Sequence, residues 1–357
     1  MQKGLTDTPK LISPIFSQIN TSMKHELSRR ILITGGSSGI GLEASKQLMQ
    51  RGHQLLLLCR TEERCTETVK ALSASETKQT TAKGIAINLK NLEEIETGCS
   101  RLLQINEPID TLILNAGIQN VGIRNPQFTK QGIEETFCIN HLAHQLILMR
   151  LLPLLQKSKR PRLVITSSEV HNPNSGGGRV GQPATLGALE GLRPHESIAM
   201  LNGQKIFDAD KAYKDSKLCN ILMGRHLANQ LKQRGEEIPV LAWSPGLVIP
   251  KGSGGFFRTS RQQNPVGLAL FSFVARDLLR LTETLQKAGS LLAELADGDS
   301  YEQSGFRYMS NQLIRPGHHL FKEAEPSDEA SNEQLAEKLW TLSKNLIDQK
   351  LHESLSI

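Results

Sequence analysis

The chain has 357 residues, 38% of them hydrophobic, enough to bury a full core as one large α/β domain with insertions. Its net charge of +6 is spread out, with no run of five lysines or arginines and only 15 aromatic residues, which argues against nucleic acid as a partner. The five cysteines, Cys59, Cys65, Cys99, Cys138 and Cys219, show neither a Cys-x-x-Cys pair nor a zinc spacing. That usage argues against a disulfide framework or a metal site and for a reducing, cytoplasmic compartment.

Residues 1–28 mix Lys3, Lys10 and Lys24 with Asp7 and Glu26 and lack a continuous apolar core, so they read as a flexible tail rather than a secretory signal. No stretch reaches the ~18 consecutive apolar residues that a membrane span needs. From residue 29 to about 350, short apolar runs alternate with longer amphipathic segments. This is the pattern of a doubly wound α/β fold, a parallel sheet with helices on both faces. Seven strands are expected, over 30–34, 54–59, 84–87, 111–115, 163–167, 239–243 and 306–309. Helices are expected between them, over 40–51, 61–72, 92–103, 130–155, 211–234 and 332–347. In the first helix Ile40, Ala44 and Leu48 recur every four residues and face the sheet. Two insertions break the rhythm, 169–210, rich in Gly, Pro and Asn, and 249–304, an apolar patch followed by a helical stretch. Connections this long in a compact domain usually serve as lids or binding walls.

The segment from Ile31 to Gly41, ILITGGSSGIG, follows a strand and opens a helix. There a glycine turn lets backbone N–H groups approach a pyrophosphate at the helix N-terminus. A side chain at Gly35, Gly39 or Gly41 would obstruct the turn, the phosphate approach or the helix–strand contact. Further along, Asn115-Ala116-Gly117 closes the fourth strand, Asn140 lies in the next long helix, and Ser167-Ser168 ends the fifth strand. Tyr213-Lys-Asp-Ser-Lys217 and Pro245-Gly246 complete the series. With the Thr-Gly-x-x-x-Gly-x-Gly spacing that begins at Thr34, this order resembles the short-chain dehydrogenase/reductase family over about residues 28–250.

The Tyr–Lys spacing has a mechanical reason, since residues four apart on a helix point the same way. A free phenol, with a pKa near ~10, is a poor acid–base at neutral pH, and a neighbouring ammonium draws it toward the working range. The family resemblance implies that Tyr213 donates the proton in reduction and that Lys217 assists it and binds a ribose hydroxyl. It further implies that Ser168 positions the substrate oxygen and Asn140 holds a proton-relay water. It places the dinucleotide against Thr34, Gly35, Ser37, Ser38, Gly39, Ile40, Gly41, Asn88, Leu89, Asn115, Ala116, Gly117, Tyr213, Lys217, Pro245, Gly246 and Val248. Arg60, at the end of the second strand, favours NADP(H), because a basic residue there accepts the extra phosphate where an acidic one would accept ribose hydroxyls.

The stretch Phe207–Asn220, FDADKAYKDSKLCN, more particularly resembles light-dependent protochlorophyllide reductases. So do the 45-residue interval from Ser168 to Tyr213 and the segments Glu325–Ala330 and Leu339–Lys344. At Trp243–Ile249, WSPGLVI, the chain departs: Ser244 and Leu247 stand where those reductases carry Tyr-Pro-Gly-Cys, and Pro250 stands near a position that many family members give to threonine. Leucine can neither donate a proton nor ionise. Ser167-Ser168 likewise follows the general family rather than the Gly-Thr of the photoreductase.

The apolar patch over 256–274 suits either a lid on a bulky hydrophobic substrate, a tetrapyrrole or an isoprenoid, or a peripheral membrane contact; a buried helix or a contact between copies of the chain fits it equally. Three functions remain open at this stage: a dark NADPH-dependent reductase, a photoreductase with a different proton donor, and a non-catalytic NADP(H)- or pigment-binding protein.

Overall fold

Ile31, Leu32 and Ile33 of β1 (Arg30–Thr34) are wholly buried, as a strand must be when helices cover both its faces. The computed structural model describes residues 28–73, 80–192, 199–249, 256 and 258–355. The expected tail over 1–28 therefore lies almost entirely outside the described residues, as do Pro250 and Phe257.

From β1 the chain runs through α1 (Gly39–Gln50), β2 (Gln54–Cys59), α2 (Glu62–Ser73), β3 (Ala82–Ala86), α3 (Leu92–Ile105) and β4 (Thr111–Leu114). It continues through the long helix α4 (Glu135–Gln156), β5 (Arg162–Thr166), α5 (Ala209–Gln233) and β6 (Pro239–Ser244). Beyond β6 come α6 (Arg258–Gln263), α7 (Pro265–Ser272), α8 (Leu285–Asp297), β7 (Gly305–Arg315), β8 (His318–Glu323) and α9 (Glu333–Leu355). The strands lie in the order β3-β2-β1-β4-β5-β6-β7-β8. The seven from β1 to β7 are parallel. Strand order reverses between β1 and β4, so the loops at their C-terminal ends part and open a crevice there.

The eighth strand corrects the expectation of seven. β8 pairs antiparallel with β7 at the sheet edge, and its sequence HHLFKE carries too little apolar alternation to be read as a strand. The local sign of it is Pro316-Gly317, a turn in which Gly317 takes φ +75°. A second difference is that α4 starts at Glu135, not at 130, because Glu134 pairs with Phe128 in an isolated bridge and caps the helix by accepting the Phe137 N–H. By length and composition α4 could cross a membrane, but 78% of its most apolar window is buried within the chain, as in a core helix.

Two apolar clusters fill the two sides of the sheet. One gathers leucines of α3, α4 and α5 and takes Leu186, Leu189, Leu192 and Leu201 from the 169–210 connection. The other packs α1 and α8 on β1, β2 and β6. The helical stretch expected within 249–304 is thus α8, a crossover between β6 and β7 that supplies Leu291, Leu292 and Leu295 to the core. Close approach of α8 to α1 depends on Gly289, where a Cβ would come within 2.5 Å of the Glu43 Cβ and 3.0 Å of the Ala44 nitrogen. Gly289→Ala is therefore expected to destabilise the chain by about 1–3 kcal/mol despite alanine's better helix propensity. A fall in the urea midpoint at unchanged slope checks this; an unchanged or raised midpoint contradicts it.

Candidate active site

The loop after β1 is built for close backbone approach. Gly35 takes φ +69° with its missing Cβ 2.9 Å from the Ala116 Cα, and a Cβ on Gly41 would lie 2.2 Å from the Gly35 carbonyl oxygen. Gly39 takes φ +56° with open space around it. Ser38, the N-cap of α1, makes no side-chain bond to the first-turn N–H groups, and the first turn carries no acidic residue. The positive end of the helix dipole is thus left for an external anion, which fits the pyrophosphate of a dinucleotide. Ile40 lies half-buried on α1, and the Ser37 carbonyl accepts a bond from Arg64 Nη2 at 2.9 Å.

Thr34 ties this turn to the next strand end. Its hydroxyl oxygen accepts the N–H groups of Asn115 (2.8 Å) and Ala116 (2.9 Å) and lies 3.0 Å from His144 Nε2. With both lone pairs taken, the hydroxyl proton goes to the imidazole, so Nε2 is the acceptor. Burial, then the Lys217 and His141 charges, lower the His144 pKa to about 3, so it stays uncharged at neutral pH. The Asn115 amide reaches back to the Thr34 carbonyl at 3.3 Å, and its oxygen accepts from Thr166 Oγ1 at 3.1 Å.

Asn140 sits in a π-helical turn of α4, Cys138–Leu142, the kind of local widening that recurs at functional sites. Its side-chain oxygen accepts the Ile118 N–H at 2.8 Å, and its amide donates to the Ile118 carbonyl and to Ser216 Oγ, both at 2.9 Å. Both amide hydrogens are therefore used by the protein, and a relay water would have to bind at an oxygen of Asn140 instead.

On α5, Tyr213 and Lys217 face the same way, with Lys217 Nζ 5.6 Å from the phenol ring centre. Lys217 is buried and its Nζ donates to the Thr166 carbonyl at 3.3 Å. It has no carboxylate partner among the described residues, and burial pulls its pKa down to about 8. A Cβ on Gly117 would stand 3.2 Å from that Nζ and 3.5 Å from Asn140 Oδ1, so the glycine leaves room at the cation. Burial pushes the Tyr213 phenol above the usual tyrosine range, while a hydrogen bond with Ser168 pulls it back. Phe256 lies edge-on to the phenol, with ring centres 5.2 Å apart.

The turn after β6 completes the cleft. Gly246 takes φ +77°, and Asn311 Nδ2 donates to the Pro245 carbonyl at 3.2 Å. Val248 bridges to Glu283, and Ser244 is fully buried. Leu247 packs with Ile249, Ala275, Phe256 and Leu268 in a small apolar cluster beneath the segment after β6. Arg60 is exposed at the end of β2, and Asn88 and Leu89 are half-buried after β3, where Asn88 Oδ1 accepts the Lys90 N–H at 3.2 Å.

Tyr213, Lys217, Asn140 and Ser168 thus come together at the crevice, with the glycine turn, Asn115-Ala116-Gly117 and Pro245-Gly246 around it. Arg60, Asn88 and Leu89 lie apart from them, at the ends of β2 and β3. Sequence reasoning missed the residues that hold the 169–210 wall against α5. Lys211 binds Asp215 (2.6 Å) and the Thr185 carbonyl (2.7 Å). Lys214 binds Asp210 (2.7 Å) and the Val180 and Gln182 carbonyls, and Glu329 accepts the Leu186 N–H at 2.7 Å. The available sign was two opposite-charge i,i+4 pairs bracketing Tyr213. His171 was also missed; its Nδ1 donates to the Ser168 carbonyl at 2.7 Å while Nε2 accepts the Ser327 N–H at 3.2 Å.

A parallel sheet with a glycine turn, a Tyr–Lys pair and a serine at its C-terminal edge defines an oxidoreductase of the short-chain dehydrogenase type. The model of the short chain dehydrogenase family matches residues 29–179. The chain is 31% identical to the protochlorophyllide reductase of Avena sativa over 327 residues, covering 89% of this chain and 99% of that protein. It belongs to the short-chain dehydrogenase/reductase family, and its similarity to protochlorophyllide reductases runs over nearly its whole length. Among solved structures, the RhlG/NADP active-site complex of Pseudomonas aeruginosa has the same fold, with a TM-score of 0.57 at 21% identity over 82% of this chain and 96% of that one. L-Sorbose reductase from Gluconobacter frateurii, complexed with NADPH and L-sorbose, gives 0.55 at 14% identity over 81% and 96%.

The buried, carboxylate-free ammonium carries a consequence for stability. The folded pKa of Lys217 lies below its unfolded value, so the unfolded chain holds more protons between about pH 8 and 10.5, and stability attributable to this group rises with pH across that window. Lys217→Met is expected to stabilise the cofactor-free chain at pH 7 by on the order of 2 kcal/mol while abolishing turnover. A lowered melting temperature in the variant would contradict this.

Proposed function

We propose that this protein reduces a carbonyl or conjugated double bond of a bulky hydrophobic substrate with NADPH, Tyr213 giving the proton. The convergence of Tyr213, Lys217 and Ser168 on one crevice carries the reading. NADPH, when bound, supplies the hydride. The phenol, kept neutral by burial, is poised as a donor; Ser168 holds the substrate oxygen beside it. As that oxygen gains charge, the phenol proton passes to it, and the Lys217 ammonium stabilises the phenolate left behind. Arg64 donates to the Ser37 carbonyl of the glycine turn, Arg60 is exposed at the end of β2, and the first turn of α1 holds no acidic residue, which supports NADP(H) over NAD(H).

A tetrapyrrole is the substrate class suggested by the relatives' name. Light-driven reduction is disfavoured by Leu247, an apolar residue packed under Phe256 where the photoreductases resemble one another in a cysteine. A purely binding role is disfavoured by the retained Asn140, Ser168, Tyr213 and Lys217. Tyr213→Phe is expected to lower NADPH-dependent turnover in the dark by at least ~100-fold with NADPH affinity within about threefold of the parent. Full activity in that variant would refute the assigned donor.

The outer surface favours a peripheral membrane contact. No residue of α7 is buried, and Val266, Leu270, Phe271, Phe273, Leu278 and Leu279 are exposed along it and the following π-helical segment Phe273–Leu278. The Gly317 N–H donates to the Arg280 carbonyl at 2.7 Å, which joins this segment to the β7–β8 hairpin with its own exposed Leu313, Ile314 and Leu320. An apolar surface edged by Arg280 and Arg315 suits an anionic lipid headgroup layer. Co-sedimentation with phosphatidylglycerol vesicles is expected to fall severalfold in a Leu270→Ser, Phe273→Ser double variant with turnover retained; undiminished binding would refute the contact.

A further inference from the structure

The C-terminal ends of β5, β6 and β7 and the start of the antiparallel β8 carry polar groups that the proposed reaction does not use. Glu169 directly follows Ser168, and its backbone is fixed on both sides: its N–H donates to Ser244 Oγ at 2.9 Å, and its carbonyl accepts from Ser175 Oγ at 2.8 Å. The Glu169 carboxylate, by contrast, has no hydrogen-bond donor among the described residues. A Cβ on Gly177 would lie 3.8 Å from its Oε1, which places the carboxylate between the strand ends and the glycine-rich turn of the 169–210 wall.

His319 of β8 approaches from the other side. Its side chain is 6% exposed, and its Nδ1 stands 3.8 Å from Glu283 Oε2, beyond hydrogen-bonding range. Nε2 is buried without a partner. The ring edge lies 3.8 Å from where a Cβ on Gly246 would be, so the imidazole packs beside the Pro245-Gly246 turn. Ser244 Oγ accepts both the Glu169 N–H (2.9 Å) and the Gly246 N–H (3.4 Å), so the backbone of Glu169 is tied to the turn against which His319 packs, and burial raises the Glu169 pKa. The remaining titratable neighbours are the Tyr308 phenol, raised by burial, and His171, held neutral by burial at about 4. Glu283 is already committed to Asn311 Nδ2 (3.2 Å) and the Thr284 N–H (2.7 Å).

One half-buried acceptor, next in sequence to Ser168, and one buried imidazole nitrogen, beside the Pro245-Gly246 turn, therefore stand unpartnered among the described residues. A hydroxyl completes such a pair, since it donates to one group and accepts from the other. A carboxylate cannot: it has no proton to donate and would meet the like charges of Glu169 and Glu283. We propose that Glu169 and His319 form a polar subsite that holds an uncharged hydroxyl of the substrate near the reacting carbon and turns away substrates with a carboxylate there. This inference rests on the reductase reading of the same cleft and deepens it by naming a substrate feature.

Isothermal titration of the NADP⁺-saturated protein at pH 8 with 1,8-octanediol, 1-octanol and 8-hydroxyoctanoate tests it, because the flexible chains let the second oxygen find the subsite. The diol is expected to bind at least fivefold more tightly than octanol, and 8-hydroxyoctanoate at least tenfold more weakly than the diol. E169L and H319F should each bring diol and octanol within twofold, and E169Q should shrink the carboxylate penalty below threefold. Equal binding of diol and octanol by the parent protein, an undiminished preference in E169L, or binding of none of the three overturns the proposal. NADP⁺ binding by the same samples separates the two levels: with it intact, a failed preference removes the subsite alone, and its loss in the parent protein removes the cofactor reading as well.

Discussion

An ammonium buried without a carboxylate is costly, and the active-site edge of this protein is arranged around one. Lys217 lies on α5 with the Thr166 carbonyl as the one hydrogen-bond partner of its Nζ among the described residues, and burial draws its pKa down to about 8. Its surroundings are held apart from it by independent means: Gly117 leaves space, Asn140 is satisfied by Ile118 and Ser216, and Ser167 Oγ donates to the Lys217 carbonyl at 2.8 Å. A carboxylate at this point would neutralise the charge and stabilise the fold, yet it would remove the cation from the phenol beside it. Strain of this kind at a site, supported by a rigid frame, is how a fold holds a reactive group ready.

The frame is a set of ties between strand ends that are distant in sequence. Thr34 collects the Asn115 and Ala116 N–H groups; Asn115 and Trp243 both bond to Thr166, whose carbonyl receives Lys217 Nζ and Asn220 Nδ2. Strand ends β1, β4, β5 and β6 are thereby fixed to one another at the crevice. The 169–210 wall is held to the same helix by Lys211, Lys214 and Asp215 on either side of Tyr213. Burial lifts the Asp215 pKa to about 7 against the pull of Lys211, so this tie spans another costly buried charge. The 169–210 connection and α5 are consequently a single mechanical unit.

What the sequence makes legible follows from how local each signal is. The glycine turn from Gly35 to Gly41 and the Tyr213–Lys217 spacing are set within one or two helical turns, so residue types and spacing suffice to read them. The apolar strands β1, β2 and β4 are equally plain, because burial on both faces leaves runs such as Ile31-Leu-Ile33 and Leu55-Leu-Leu-Leu58. β8 is not legible, since its character comes from pairing with β7 rather than from its own His-His-Leu-Phe-Lys-Glu sequence. The role of α8 as a core crossover is hidden by the apolar segment that precedes it. Glu169, His171 and His319 are ordinary polar residues in sequence; only the pairing of β8 with β7 brings His319 to the Pro245-Gly246 turn.

The central claim is that the glycine turn and the Tyr–Lys pair meet on one dinucleotide. A crystal structure of the NADP⁺ complex tests it most directly. The account predicts the pyrophosphate on the N–H groups of the Gly35–Gly41 turn, Lys217 Nζ within hydrogen-bond distance of the nicotinamide ribose, and the Tyr213 hydroxyl facing the nicotinamide ring. A cofactor bound elsewhere, or a ribose out of reach of Lys217, would contradict it.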